Sequence, residues 1–276
     1  MSTELRLRIA SGLVLAAIVL AATWAGGAPF RLLSVAIAML VYYEWSTITR
    51  LAETDFRGNA FGWATTATAG GMIILGEPEM ALVTVAAAVV LSLLHTLWFR
   101  RGFWLPGGIA YAGLTALSLA AIRADDATGL VAMLFVFAVV WATDILAYFV
   151  GRAIGGPKLA PAISPGKTWS GAIGGTVAAV VAGCALYLYV FQSAGLWVPA
   201  IAFVLSVFSQ VGDLFESFIK RRFGVKDSSR LIPGHGGVMD RVDGLVFACF
   251  AAFLLGLAAT LGGRPIASTG AFLLGL

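Results

Sequence analysis

Charge is scarce in this chain. Only 12% of its 276 residues are Asp, Glu, Lys or Arg, about half the ~25% usual in soluble domains, while 60% are hydrophobic. That balance excludes an ordinary soluble globule. Cysteine is almost absent: Cys184 and Cys249 both lie in apolar stretches, which reads as two small core residues and excludes a disulfide framework. Linkers, low-complexity tracts and internal repeats are missing too, so nothing divides the chain. A cleavable leader is not expected. The first apolar run, behind Arg6 and Arg8, is too long for one and no clean small-x-small site follows it.

What the chain has is length of apolar run. Nine stretches of membrane-crossing length recur, at about 7–26, 30–49, 59–76, 80–99, 103–122, 129–151, 170–191, 196–219 and 244–263. The expectation is an all-α polytopic membrane protein of about nine transmembrane helices. The third run is the most polar, with Thr65, Thr66, Thr68, Gly70 and Gly71, and is expected to pack against protein. Gly58/Gly62, Gly151/Gly155 and Gly171/Gly175 each stand four apart, a spacing that lets helices approach closely.

The cations choose an orientation. With a cytoplasmic N-terminus and an outer C-terminus, only Arg31, Arg123 and Arg264 of the 18 Lys and Arg fall outside, together with Glu77 and Glu79. Two polar segments, 152–170 and 220–243, then face the cytoplasm.

The second of these is the densest in chemistry. Lys220, Arg221, Arg222, Lys226, Arg230 and Arg241 crowd there with Asp227, Asp240 and Asp243 around Pro233-Gly234-His235-Gly236-Gly237. Backbone N–H groups, cations and carboxylates together suit phosphate and a metal ion. Carboxylates inside apolar runs are costly, ~2.5–3.5 kcal/mol at mid-bilayer, and are functional candidates by default. Asp144 is one, on a helical face with Trp141, Tyr148 and Gly151; Asp213 is another, sharing a face with Glu216 and Lys220. Structural ion pairs between helices are the competing reading. Glu44, near Arg50 and Arg57, reads as structural, and His95, near Arg100, as a surface histidine. In the first polar segment, Ser164-Pro165-Gly166-Lys167-Thr168-Trp169-Ser170 reads as a turn and helix cap with Lys167 at its mouth. It is not a P-loop, since position 161 is proline.

Read together, Ser217-x-x-Lys220-Arg221, Lys226-Asp227-x-Ser229, Pro233-x-His235-Gly236-Gly237 and Asp240-Arg241-x-Asp243 resemble the signature of the phosphatidate cytidylyltransferase (CDP-diacylglycerol synthase) family. Gln210-Val-Gly-Asp213-Leu-Phe-Glu216, the Asp144–Gly151 stretch and Ser164-Pro-x-Lys167-Thr168 extend the likeness through the C-terminal half. Residues 1–128 agree mainly in hydrophobicity and span count. Gly166 and Ser170 depart from the pattern, which commonly has a lysine and an acidic residue there.

The resemblance implies one integral membrane domain over 1–276, with N-terminal helices in 1–128 and a catalytic half in 129–276. It also implies transfer of CMP from CTP to phosphatidate in the bilayer, releasing pyrophosphate at the cytoplasmic face of the inner membrane. Asp213 and Asp240 become the expected metal ligands. Lys220, Arg221, Lys226, Asp227, His235, Arg241 and Asp243 become the expected catalytic set, and Asp144, Ser164, Lys167, Thr168, Gly236 and Gly237 the expected substrate-binding set. Mg²⁺ is the implied cofactor, with a second metal ion such as K⁺ left open. Membrane lipid and a second copy in a homodimer are the implied partners, and nucleic acid is not one. Two other readings compete: a CTP-dependent polyprenol kinase, which would release CDP, and a transporter of phosphorylated lipid, for which inverted repeats are lacking.

Overall fold

The computed structural model describes residues 3–263 and 266–276, with side chains from residue 9 onward. Arg264 and the side chains of Arg6 and Arg8, counted above for orientation, lie outside the described residues. Among those described, nine helices run 20 residues or more: α1 (Thr3–Ala25), α2 (Gly27–Ile48), α4 (Phe56–Leu75), α5 (Pro78–Trp98), α6 (Trp104–Arg123), α7 (Ala127–Ile154), α8 (Trp169–Phe191), α9 (Val198–Arg222) and α10 (Met239–Leu261). Two short helices, α3 (Leu51–Thr54) and α11 (Thr269–Leu274), complete the helical set. Among the described residues, six helices, α5 to α10, are long and apolar enough to cross a membrane, fewer than the nine spans expected. The protein is therefore helical and multi-pass in composition.

One small sheet breaks the pattern. Strands β1 (Lys158–Ala160) and β2 (Ser164–Thr168) pair antiparallel, with Lys158 opposite Thr168 and Ala160 opposite Ser164. The sequence reading gave only a turn and a cap here, because Pro165 and Gly166 hide any strand-like alternation. The cap itself is present. Thr168 Oγ1 accepts a hydrogen bond from Gly171 N at 3.1 Å and so begins α8.

The chain forms two compact units. The first contains Met1–Ala120 and Phe223–Arg241, the second Ala121–Arg222 and Val242–Leu276. The charged loop after α9 thus belongs with the N-terminal helices, an arrangement that a division at residue 128 does not anticipate.

In the first unit, Ala38, Ala69, Ile73, Ala81, Val85, Ala116 and Leu117 form a common core for α2, α4, α5 and α6. Gly62 lets α4 meet Tyr42, whose hydroxyl oxygen would stand 1.8 Å from a Cβ at that position. The polar third run packs as expected: Thr65 and Thr66 are buried, their hydroxyls donating to Phe61 O and Gly62 O at 2.9 Å. His95 is not a free surface residue. Its Nε2 lies 2.9 Å from Asp55 Oδ2, and Asp55 also caps α4 through Gly58 N and pairs with Arg101 at 3.0 Å.

In the second unit, small residues set the helix spacing. A Cβ on Gly171 or Gly175 would stand 2.6 Å from the carbonyl oxygen of Ala147 or Thr143, so α7 and α8 touch backbone to backbone. Gly155 serves differently, ending α7 at φ 67° with open space where a Cβ would point. A chain of neutral polar groups ties α7, α8 and α9 together: Thr143 donates to Ser206 at 2.8 Å, Ser206 to Thr176 at 3.3 Å, and Gln210 to Thr176 at 2.9 Å. Each of these groups would be costly to bury alone.

Candidate active site

In the second unit, α7, the β-hairpin, α8 and α9 enclose a cavity of about 580 Å³ whose lining includes Asp144, Tyr148, Arg152, Lys158, Lys167 and Asp213. The hairpin delivers Lys167 from the end of β2, and its ammonium pairs with Asp213 of α9. Asp213 stands beside Asp243 because Gly212 brings α9 against α10; a Cβ on Gly212 would lie 2.5 Å from Asp243 O. Asp144, Asp213 and Asp243 are close enough to repel one another, and Lys167 offsets that repulsion. Three aspartates from three helices therefore feel one another's charge, and two of them, Asp144 and Asp213, line the cavity.

Other residues of this unit take separate places. Arg152 donates to the Tyr148 hydroxyl at 2.9 Å. Trp141, expected on the Asp144 face, stacks on Phe137 at 5.3 Å. Lys220 pairs with the buried Glu216 one turn earlier at 2.6 Å, and Arg221 is exposed in the last turn of α9. Ser164 sits opposite Ala160 in the hairpin. Ser170 donates to Gly155 O, holding the end of α7 to the start of α8. Gly166 lines the cavity, and a Cβ there would meet nothing within 4 Å.

A second, apolar cavity of about 650 Å³ lies along α8 and α9, lined by Trp169, Ile173, Val177, Phe203 and Val207 among others. It shares Leu159, Ala172 and Gln210 with the polar cavity.

The charged loop builds its own site in the first unit. Lys226, Asp227, Arg230, His235, Gly236 and Arg241 line a polar cavity of about 620 Å³. Ile232 N donates to Gly236 O at 2.8 Å and His235 N to Ile232 O at 2.9 Å, making the tight turn that Gly234 and Gly236 permit with φ of 77° and 86°. His235 Nδ1 is 2.8 Å from Ser11 Oγ of α1, and that hydroxyl also donates to Pro233 O at 3.1 Å.

Asp240 faces inward to this loop: its Oδ2 accepts from Ser228 N at 2.9 Å and from Gly237 N at 2.8 Å, and Ser228 Oγ lies 2.9 Å away. The Gly237 N–H is thus taken by Asp240. Glu44 completes the arrangement and was missed as a contributor. It is fully buried on α2, and its partners are the loop's own donors, not Arg50 or Arg57. Arg230, one of the loop cations outside the quoted signature residues, also lines this cavity. No local signal marks either residue.

Among the described residues, no three His, Cys, Asp or Glu side chains converge as a preformed metal shell. Mg²⁺ does not require one, since one or two carboxylates with waters and substrate phosphates commonly suffice. The aspartates of the second unit are hard oxygen donors with negative charge to balance, so their chemistry fits such an ion.

The comparisons with known proteins agree with this chemistry. The cytidylyltransferase family model matches residues 6–258. A phosphatidate cytidylyltransferase of Brucella abortus is 48% identical over 254 residues, covering 92% of this chain and 94% of that protein. One from Haemophilus influenzae is 35% identical over 280 residues, covering 88% and 96%. One from Staphylococcus saprophyticus is 45% identical over 140 residues, about half of each chain. From its N-terminal helices to the last long one, the chain belongs to the cytidylyltransferase family.

Proposed function

We propose that this protein is a phosphatidate cytidylyltransferase, converting CTP and phosphatidate to CDP-diacylglycerol and pyrophosphate. The observation that carries the lipid half of this reading is the shared wall of the two cavities in the second unit. A cavity lined by charged groups and adjoining an apolar one suits a substrate with an anionic head and hydrocarbon tails. Phosphatidate would lay an acyl chain along Ile173, Val177 and Phe203 and present its phosphate at the edge shared with the polar cavity.

In the reaction, a phosphate oxygen of phosphatidate forms a bond to the α-phosphorus of CTP, and the bond from that phosphorus to the β-phosphate bridge breaks. The nucleophile is already ionised at neutral pH, so the protein need supply neither a covalent intermediate nor a base. Its task is to bring polyanions together. Lys167, Lys220 and Arg221 in the second unit, and Lys226, Arg230, His235 and Arg241 in the first, are the groups proposed to neutralise and orient them. Asp213 and Asp240 are the proposed Mg²⁺ ligands, one in each unit, with Asp144 and Asp243 supporting Asp213 or a second ion. When bound, Mg²⁺ would draw charge from the phosphates and stabilise pyrophosphate as it leaves.

The topology proposed with this function is nine spans, cytoplasmic N-terminus and outer C-terminus, in a bacterial inner membrane. CTP would enter from the cytoplasm, and the protein would work as a homodimer. Purified protein with phosphatidate in detergent micelles and labelled CTP, with and without Mg²⁺, tests the activity. Release of labelled pyrophosphate and formation of CDP-diacylglycerol are expected. Release of CDP instead would establish a kinase.

A further inference from the structure

We propose that Glu44 is the positioning residue that closes the signature loop, a role that rests on the cytidylyltransferase reading of that loop. Each of its two carboxylate oxygens takes two donors. Oε1 accepts from Ser229 Oγ at 2.6 Å and Val238 N at 2.8 Å; Oε2 accepts from Ser228 Oγ at 2.9 Å and Met239 N at 2.6 Å. Two donors belong to the start of the loop and two to its end. One buried carboxylate therefore pins both ends of the segment that carries Arg230 and His235.

The chemistry of the donors makes the choice of residue specific. Val238 N and Met239 N are orphan donors at the N-terminus of α10, where an anion is favoured by the helix dipole. Four donors around one side chain call for an acceptor-only group, which an ionised glutamate is. Glutamine would keep the shape but point an NH₂ at one pair of donors. The backbone is fitted to this contact as well: a Cβ on Gly237 would stand 2.5 Å from Glu44 Oε1. Through Ser228 Oγ, within 2.9 Å of both carboxylates, the clamp also reaches Asp240. Glu44 thus sets Asp240 and the loop cations without itself touching substrate.

The test compares the full-length Glu44→Gln protein with wild type in detergent, using three readouts. Trypsin cleavage after Arg230, mapped by mass spectrometry, is expected to speed up at least ~10-fold as the loop opens. The kcat for CTP turnover is expected to fall at least ~30-fold, with KM changing less than ~5-fold, while cleavage at Arg57 stays as in wild type. Ser229→Ala removes one of the four bonds and serves if Glu44→Gln does not fold; it is expected to speed Arg230 cleavage ~3-fold. Unchanged cleavage after Arg230 in whichever of these folds would overturn the clamp. A wild-type protein that turns over no CTP with phosphatidate would overturn the functional reading instead, and the trypsin comparison would still decide the clamp.

Discussion

Lys167 and Asp213 form an ion pair across the polar cavity, the lysine from a hairpin strand and the aspartate from a long helix. The lysine side chain is 26% exposed and the aspartate 38%, so both face the cavity and neither is sealed in the core. In the proposed reaction an arriving polyphosphate would compete for the lysine, and a metal ion for the aspartate.

Exchange of partners at this pair makes the two mutants differ. Asp213→Asn is expected to lower kcat/KM by at least ~100-fold, equivalent to about 2.7 kcal/mol at 1.36 kcal/mol per tenfold. Lys167→Ala is expected to act mainly on KM for CTP. Steady-state kinetics over a Mg²⁺ series, with thermal unfolding as a folding control, checks both. Near-normal turnover of Asp213→Asn at ordinary Mg²⁺ would remove it from the metal site.

The loop cations divide by position. Lys226→Ala and Arg241→Lys are each expected to lose at least ~100-fold in kcat/KM, since a bidentate grip on phosphate is not transferable from Arg to Lys. Arg230→Ala joins them at ~10-fold or more, because its side chain lines the same cavity. Arg222→Ala is expected to stay within about threefold, the scale of a surface charge. Equal losses in all four variants would mean a diffuse electrostatic surface.

Gly237 has no room for a methyl group. A Cβ would lie 1.9 Å from Ser228 Oγ and 2.5 Å from Glu44 Oε1. Overpacking of this kind costs ~1–3 kcal/mol, so Gly237→Ala is expected to inactivate the enzyme and to speed tryptic cleavage after Arg230. Wild-type kinetics in this variant would show that the loop relaxes freely.

Gly166 presents the opposite case. With open space at its Cβ position and cations nearby, Gly166→Lys is expected to fold normally and to lower KM for CTP several-fold at low salt. Measuring KM at two ionic strengths checks it; an increase in KM at both would count against phosphate binding by this hairpin.

Orientation is checked by labelling introduced cysteines in sealed cells. Arg57→Cys is expected to react only with reagent reaching the cytoplasm, and Glu79→Cys with impermeant reagent from outside; both positions are exposed. The reverse pattern would overturn the proposed topology.

Much of the helical framework was legible because a lipid environment demands runs of fixed length. Each of the nine long helices overlaps an apolar stretch, whereas the caps, the β-hairpin and the short helices α3 and α11 needed the structure. Asp144 and Asp213 were legible for the same reason, being carboxylates where carboxylates are expensive. The approach of Asp243 to Asp213 was not, because Gly212 sets it through a helix contact invisible in one dimension. Arg230 looked incidental until the turn around Gly234 and Gly236 placed it in the cavity. Glu44 had charged neighbours in sequence that proved to be the wrong ones. Its partners begin 184 positions downstream.

That distance has a consequence in time. Synthesis at ~5–20 residues per second means that Glu44 leaves the ribosome on the order of 10–40 s before Ser228 does. For that interval a side chain destined for complete burial has none of the loop donors it will finally serve. The nascent N-terminal helices must therefore keep it hydrated, protonated or temporarily partnered while most of the chain is still being made. The clamp that shapes the loop is among the last contacts the protein can form.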